Sequence, residues 1–212
     1  MEKICCVVGA MEPGELVLPE GALVIAADGG LAHLERWGIV PDLIVGDFDS
    51  LGWVPEGSNV IRHPVEKDDT DMMLAVRTGL ERGYGRFLLY GGLGGRLDHA
   101  YANLQTLTWL AERGAQGWLL GGGLAASVIR NGRLAFDAGR AGTVSVFCPN
   151  GEARGVDLTG LYYPLKNAVL TSGFPLGVSN QFTGKAASVS VREGTLLVMW
   201  EQAEGILPEG VV

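Results

Sequence analysis

An α/β region followed by an all-β region is the fold class that the sequence predicts, on three observations. Up to about Ala115, short apolar runs alternate with segments of helical periodicity. Beyond it the helical periodicity stops, and strand-like segments follow one another with turn residues between them. Glycine makes up 33 of the 212 residues, which implies many turns and places of close backbone approach.

The first strands are read at residues 4–8, 23–27, 43–45, 60–62 and 87–90. Each is rich in Val, Ile and Leu and bounded by Gly, Pro or Asp. Continuous apolar runs of this length suit strands covered on both faces, as in a parallel sheet. Helical patterns cover 69–82, with Met72, Met73, Val76 and Leu80 on one face, and 98–113, with Leu104, Leu107, Leu110 and Ala111 in register. Alternating strand and helix predicts a mostly parallel sheet with flanking helices. Later strands are expected at 118–120, 126–130, 133–136, 143–147, 155–158, 168–170, 187–191 and 196–200. Asn131-Gly132 and Asn150-Gly151 read as hairpin turns. The expected organisation is an α/β domain over residues 1–120 and a β-sandwich over 121–212, divided somewhere between 114 and 123.

Composition narrows the function. The chain carries 16 basic and 24 acidic residues, a net charge of -8, whereas phosphate neutralisation on nucleic acid needs clustered Lys and Arg. No apolar stretch approaches the ~20 residues that span a bilayer. No signal peptide is visible at Met1-Glu2-Lys3, so a cytoplasmic protein is expected. Cys5, Cys6 and Cys148 are odd in number, lack metal-ligand spacing, and read as reduced buried thiols.

Four features follow predicted strands or lead into a helix. They are Asp28-Gly29-Gly30, Gly46-Asp47-Phe48-Asp49-Ser50, Lys67-Asp68-Asp69-Thr70-Asp71, and the run from Gly91 through Gly94-Gly95-Arg96-Leu97-Asp98-His99. In an open α/β sheet, ligands bind beyond the carboxyl ends of the strands, where such loops converge. Each feature has a plainer reading. Asp28-Gly29 suits a turn, and Asp69-Thr70-Asp71 suits a helix cap. The glycine run lacks the Gly-Lys-Ser/Thr ending of a Walker loop and fits the dinucleotide fingerprint poorly. The pair Asp47 and Asp49 is more pointed: two residues apart on an extended segment, both carboxylates share one side. Hard oxygen ligands beside substrate phosphates are how magnesium is usually held. The set suits phosphoryl or diphosphoryl transfer, which depends on positioning and charge neutralisation.

These motifs, taken in order with Asn103 and the later Gly177-Val178-Ser179-Asn180, resemble those of the thiamine pyrophosphokinases over nearly the whole chain. The resemblance implies an enzyme that uses ATP, thiamine and Mg2+ and works as a homodimer with composite active sites. Asp47, Asp49 and Asp71 would hold magnesium and, with Asp68 and Asp98, form the catalytic carboxylates. Asp28, Gly29, Lys67, Gly94, Arg96 and Asn103 would line the ATP side. One carboxylate would take the thiamine hydroxyl proton as that oxygen attacks the β-phosphorus, releasing AMP. His99, at a helix start after Asp98, reads as a capping or supporting residue more readily than as a base. Ser179 and Asn180 would bind the pyrimidine, and Trp200 would cover it by stacking or cation–π contact. Trp200 stands two residues beyond the family position, near Val198, and ordinary core packing is its competing reading. Competing functions are a diphosphokinase for another hydroxymethyl heterocycle such as a pterin, a non-catalytic nucleotide or thiamine sensor, and a dinucleotide-dependent oxidoreductase.

Overall fold

Runs of branched aliphatic residues build the first sheet. The computed structural model describes residues 3–48, 55–62, 69–208 and 210–211. Its strands are β1 (Ile4–Val8), β2 (Leu23–Ala27), β3 (Leu43–Gly46), β4 (Val60–Arg62), β5 (Arg86–Tyr90) and β6 (Gln116–Gly121), in the order β6-β5-β1-β2-β3-β4. β1 pairs in parallel with both β2 and β5, β2 with β3, and β3 with β4. The last four residues of β1, β2 and β5 are buried, as continuous apolar runs in a covered parallel sheet should be. Cys5 and Cys6 lie in β1, and burial pushes both thiols up, Cys6 to about 12. Among the described residues no helix is long and apolar enough to cross a membrane.

Three helices accompany these strands: α1 (Gly30–Arg36), α2 (Asp71–Glu81) and α3 (Leu97–Glu112). α2 and α3 match the predicted periodicity. α1 went unread, because its seven residues bury only Gly30, Leu31 and Leu34, too few to set a period. All three end alike. Beyond α1, Gly38 (φ +68°) donates to Glu35 O and Ile39 donates to Leu34 O. Gly83 and Tyr84 repeat the pattern after α2, and Gly114 and Ala115 after α3. This is the Schellman cap, whose left-handed residue is cheapest as glycine.

Contacts divide the chain into two units, residues 1–106 with 117–123, and 107–116 with 124–212. The strands of the second unit are β7 (Leu124–Arg130), β8 (Arg133–Phe136), β9 (Thr143–Phe147), β10 (Glu152–Thr159), β11 (Leu165–Thr171), β12 (Gly177–Gln181), β13 (Ala187–Glu193) and β14 (Thr195–Glu201). They pair antiparallel in the orders β12-β9-β14-β7 and β11-β10-β13-β8. β13 packs on β7 and β14, and β10 packs on β14, closing the predicted sandwich. Phe136 anchors its core, edge-on to Phe182 at 5.0 Å and to Trp200 at 5.3 Å between ring centroids.

Two turn readings are corrected. Asn131-Gly132 joins β7 to β8, and Asn150-Gly151 joins β9 to β10, yet each pair of strands belongs to different sheets. Both turns are therefore corners of the sandwich and not hairpins. The reason is partner choice: β7 bonds β14 while β8 bonds β13. Asn131 (φ +47°) exchanges hydrogen bonds with Gly194, the link between β13 and β14, so two corners are stitched together. β12 was also missed as a strand, since Gly177, Ser179 and Asn180 are poor strand formers.

Gly30 shows how tightly α1 sits on the sheet, because a Cβ there would lie 1.8 Å from the carbonyl oxygen of Val8. Gly30→Ala should destabilise the protein by at least ~1–3 kcal/mol, the range for overpacked sites. Gly85→Ala, where an added Cβ meets nothing within 4 Å, should be close to neutral. Urea midpoints of the two variants check this.

Candidate active site

The site begins where β2 and β3 end side by side. Asp28 follows β2 with a left-handed backbone (φ +46°), a conformation that Asp tolerates better than most residues. Its N–H donates to Val45 O at 2.8 Å, and its side chain is buried. Gly46 closes β3 against it: a Cβ there would meet Asp28 Cα and Cβ at 3.1 Å. Asp47 comes next and is half-buried. Phe48 is buried at 2% exposure yet has φ +64°, a strained state for an aromatic residue and one that clusters at functional sites. Burial of Phe48 thus goes with a left-handed backbone just after Asp47. Asp49, with Lys67 and Asp68, lies outside the described residues.

Helix α2 brings the next acid. Thr70 is the N-cap, its hydroxyl accepting from Met73 N–H at 3.2 Å, and Asp69 pairs with Arg77. The capping reading therefore holds for Thr70, and Asp69 serves an ion pair. Asp71 opens the helix, where its charge complements the helix dipole. α2 packs on β1, β2 and β3, and a Cβ on Gly9 would lie 2.8 Å from Met72 Cε. Asp28, Asp47 and Asp71 thus belong to neighbouring elements at one end of the sheet.

The glycine loop completes that end. Gly9 N–H donates to Tyr90 O at 2.8 Å, and Met11 N–H to Gly91 O at 3.1 Å. A Cβ on Gly91 would lie 2.5 Å from Gly9 O and 2.6 Å from Met11 O, so two backbones touch there and only glycine fits. Asn103, buried on α3, donates from Nδ2 to Gly92 O at 2.8 Å and braces the loop from below. Tyr90 donates its hydroxyl to Val17 O at 2.8 Å, pinning the segment that follows β1. Gly29 is the N-cap of α1, and Gly94 (φ +90°) has open space around it. The stretch 9–11 escaped the sequence reading because it has no acidic residue. Its signal was positional: it follows a strand, as the other site segments do.

Arg96 and Asp98 are exposed and form a two-point ion pair, Nε to Oδ1 at 3.2 Å and NH2 to Oδ2 at 2.6 Å. The Arg96 guanidinium holds the Asp98 carboxyl well below the usual carboxylate range, at about 2, and the His99 N–H adds to this. Among the described residues no group of three or more His, Cys, Asp or Glu side chains is close enough to hold a metal ion. As a donor set, the strand-end carboxylates fit a hard cation of the magnesium type, which asks for only one or two carboxylates beside substrate phosphates.

In the β unit, Ser179 is exposed at a register irregularity of β12, with φ +57° and its N–H given to Ser145 Oγ at 3.1 Å. Asn180 is buried, and its amide is spent inside the protein. Oδ1 accepts from Tyr163 N–H and Gln181 N–H, both at 2.9 Å, and Nδ2 donates to Tyr163 O at 2.7 Å. Trp200 is 1% exposed, packed on Phe136, with its indole N–H given to Gln202 at 2.9 Å. The core reading of Trp200 is the one the structure supports. Its two-residue offset keeps the same strand face, and that face points into the sandwich.

Fold and site together define a class: an α/β enzyme of the phosphoryl-transfer kind, with strand-end carboxylates and a glycine loop, carrying an appended β-sandwich. Comparison with known proteins narrows it. Residues 15–119 match the thiamin pyrophosphokinase catalytic domain, and 134–196 match the thiamin pyrophosphokinase vitamin B1 binding domain. A thiamine pyrophosphokinase of Bacillus subtilis is 28% identical over 187 residues, covering 85% of this chain and 87% of that protein. The crystal structure of thiamine pyrophosphokinase from B. subtilis superposes with TM-score 0.83 at 25% identity, covering 95% of this chain and 99% of the other. That of Geobacillus thermodenitrificans gives 0.79 at 26% identity, covering 96% and 100%. The chain belongs to the thiamine pyrophosphokinase family, whose activity is the ATP-dependent diphosphorylation of thiamine.

The ion pair makes a measurable claim. Arg96→Ala should raise the Asp98 carboxyl from about 2 toward the ~3.9 of an unperturbed Asp, stopping short of it because the His99 N–H bond remains. The folded-state value is depressed, so any stability it contributes is present above the unfolded value and fades as pH falls toward 2. Carboxyl-carbon NMR titration of the two proteins checks the shift.

Proposed function

We propose that the protein transfers the diphosphate of ATP to the hydroxyl of thiamine, with magnesium, giving thiamine diphosphate and AMP. What supports this reading is that Asp28, Asp47, Asp71 and the glycine loop lie on neighbouring elements that follow or flank the parallel strands, in a chain matched by both domains of the family. The hydroxyl oxygen forms a bond to the β-phosphorus. The bond from that phosphorus to the oxygen bridging the α-phosphate breaks, and AMP leaves with the oxygen. A strand-end carboxylate takes the hydroxyl proton. Asp47, Asp49 and Asp71 would hold magnesium, which when bound offsets the polyphosphate charge.

Lys67 and Arg96 supply positive charge for the phosphates. An exposed ion pair is weak, so Arg96 can leave Asp98 for a phosphate at little cost. Asp28 and Asn103 shape the ATP side through the β2 end and the glycine loop, Gly29 and Gly94 line it, and Asp68 and Asp98 complete the acidic set. The α/β part, residues 1–120, takes ATP, and the β-sandwich, residues 121–212, takes thiamine beside Ser179. The family resemblance supports a homodimer in which ATP on one copy meets thiamine held by the other. Three unpaired buried thiols suit the reducing cytoplasm.

Purified protein with ATP, magnesium and a panel of alcohols tests the reading: AMP should appear with thiamine, whereas ADP would overturn it. Asp47→Asn and Asp49→Asn should each lower turnover by at least ~10²-fold, since the site works by electrostatics, with the circular-dichroism spectrum unchanged. Near wild-type activity at saturating magnesium would remove that residue from the site. Ser179→Ala should raise the thiamine KM several-fold, the effect of one lost hydrogen bond of ~0.5–1.5 kcal/mol, with the ATP KM unmoved.

A further inference from the structure

The turn between β10 and β11 carries two tyrosines that the core does not use. Tyr162 and Tyr163 are 63% and 60% exposed, and their rings meet edge-on, 4.8 Å apart at 77°. The turn itself is held firmly to the strand that bears Ser179. Tyr162 N–H donates to Gln181 O at 2.9 Å, and Leu161 bridges Phe182. Thr183 donates its hydroxyl to Gly160 O at 2.7 Å. The buried Asn180 amide grips Tyr163 on both sides, accepting its N–H and donating to its carbonyl. An amide enclosed at 3% exposure, with three hydrogen bonds made, is a clamp on that backbone and has little left to offer a ligand.

We infer that the Tyr162–Tyr163 pair is the aromatic element of the acceptor site, and that Asn180 is a positioning residue that holds it beside Ser179. The inference rests on the reading that thiamine binds at Ser179. Thiamine is a permanent cation joined to a flat aminopyrimidine, and tyrosine faces attract both features. Two rings at 77° form a corner, so one can cover a face of the ligand while the other meets its edge. With Trp200 sealed in the core, Tyr162 and Tyr163 are the exposed aromatic side chains bonded through their own backbone to the Ser179-Asn180 strand. A turn fixed by four hydrogen bonds and a bridge presents its rings without first having to be ordered, which favours binding.

Tyr162→Leu, Tyr163→Leu and Asn180→Ala, made singly, test this by calorimetric titration with thiamine and with a neutral isostere whose thiazolium is replaced by thiophene. Binding is read directly, so the result does not depend on turnover. Each Leu variant should weaken thiamine by about three- to thirty-fold, the effect of one lost cation–π or stacking contact. The isostere should lose less, narrowing the preference for the cation. Asn180→Ala should weaken thiamine likewise, with the affinity for ATP unchanged, a split that general loosening of the fold would not produce. Tyr163→Phe should bind as wild type, since the ring face and not the hydroxyl carries the contact. Unchanged thiamine affinity in both Leu variants, at unchanged thermal midpoint, overturns the inference. So does a change of oligomeric state without a change in thiamine affinity, which would make the pair an interface between copies. AMP release by the wild type tests the proposed activity separately, so the two can fail independently.

Discussion

Strand β1 is bonded in parallel on both sides, to β2 and to β5, and every other feature of the α/β unit follows from this. Parallel neighbours cannot be joined by tight turns, so each strand finishes at the same edge and hands the chain to a loop or helix. The residues after β1, β2, β3 and β5 are therefore Gly9, Asp28, Asp47 and Gly91 in one neighbourhood. Two of these ends are joined by backbone hydrogen bonds, Gly9 N–H to Tyr90 O and Met11 N–H to Gly91 O, and the other two present acids. The chemistry sits where the pairing leaves it. Moving one strand by a single residue would turn its side chains to the other face and break the arrangement.

The second unit solves a different problem. Eight strands in two sheets must turn corners, and the corners cost backbone strain and unpaired groups. Asn131 and Gly194 meet that cost by bonding each other, so that the β7–β8 and β13–β14 links share one fastening. The core beneath is aromatic, and its polar handle is satisfied: Trp200 donates to Gln202, which also accepts from Arg140 and donates to Ile206 O. That network ties the stretch after β14 back to the sandwich. It also accounts for the burial of the tryptophan in the last strand.

Much of this was readable in advance. Nearly all strands fell where apolar runs ended in Gly, Pro or Asp, and α2 and α3 fell on their periodicities. The strand-end motifs were recognisable because spacing along one segment is local information. α1 was too short to show a period. β12 was composed of Gly, Ser and Asn, which local propensity assigns to turns. The Asn-Gly turns had the right residues for a reversal, but the pairing strands lie elsewhere in the chain: β7 and β8, flanking Asn131-Gly132, pair with β14 and β13, more than 50 positions away. Asn103 offered no clue that its amide braces the glycine loop, since its partner lies 11 residues back on a different element.

By itself the sequence determined the order of elements, the change from α/β to all-β, and the placing of acids and glycines after strands. Those are encoded by neighbours in the chain, through burial patterns and backbone preference. Only the tertiary structure decided which polar side chains are already spent. From the sequence Asn180 reads as available to a ligand, and Trp200 as either that or a core residue. In the fold, an amide finds the Tyr163 backbone 17 residues away, and an indole finds its place against Phe136 in the other sheet. Hydrogen-bond partners and packing faces are chosen across space, and a side chain satisfied in this way no longer has its polar atoms to give.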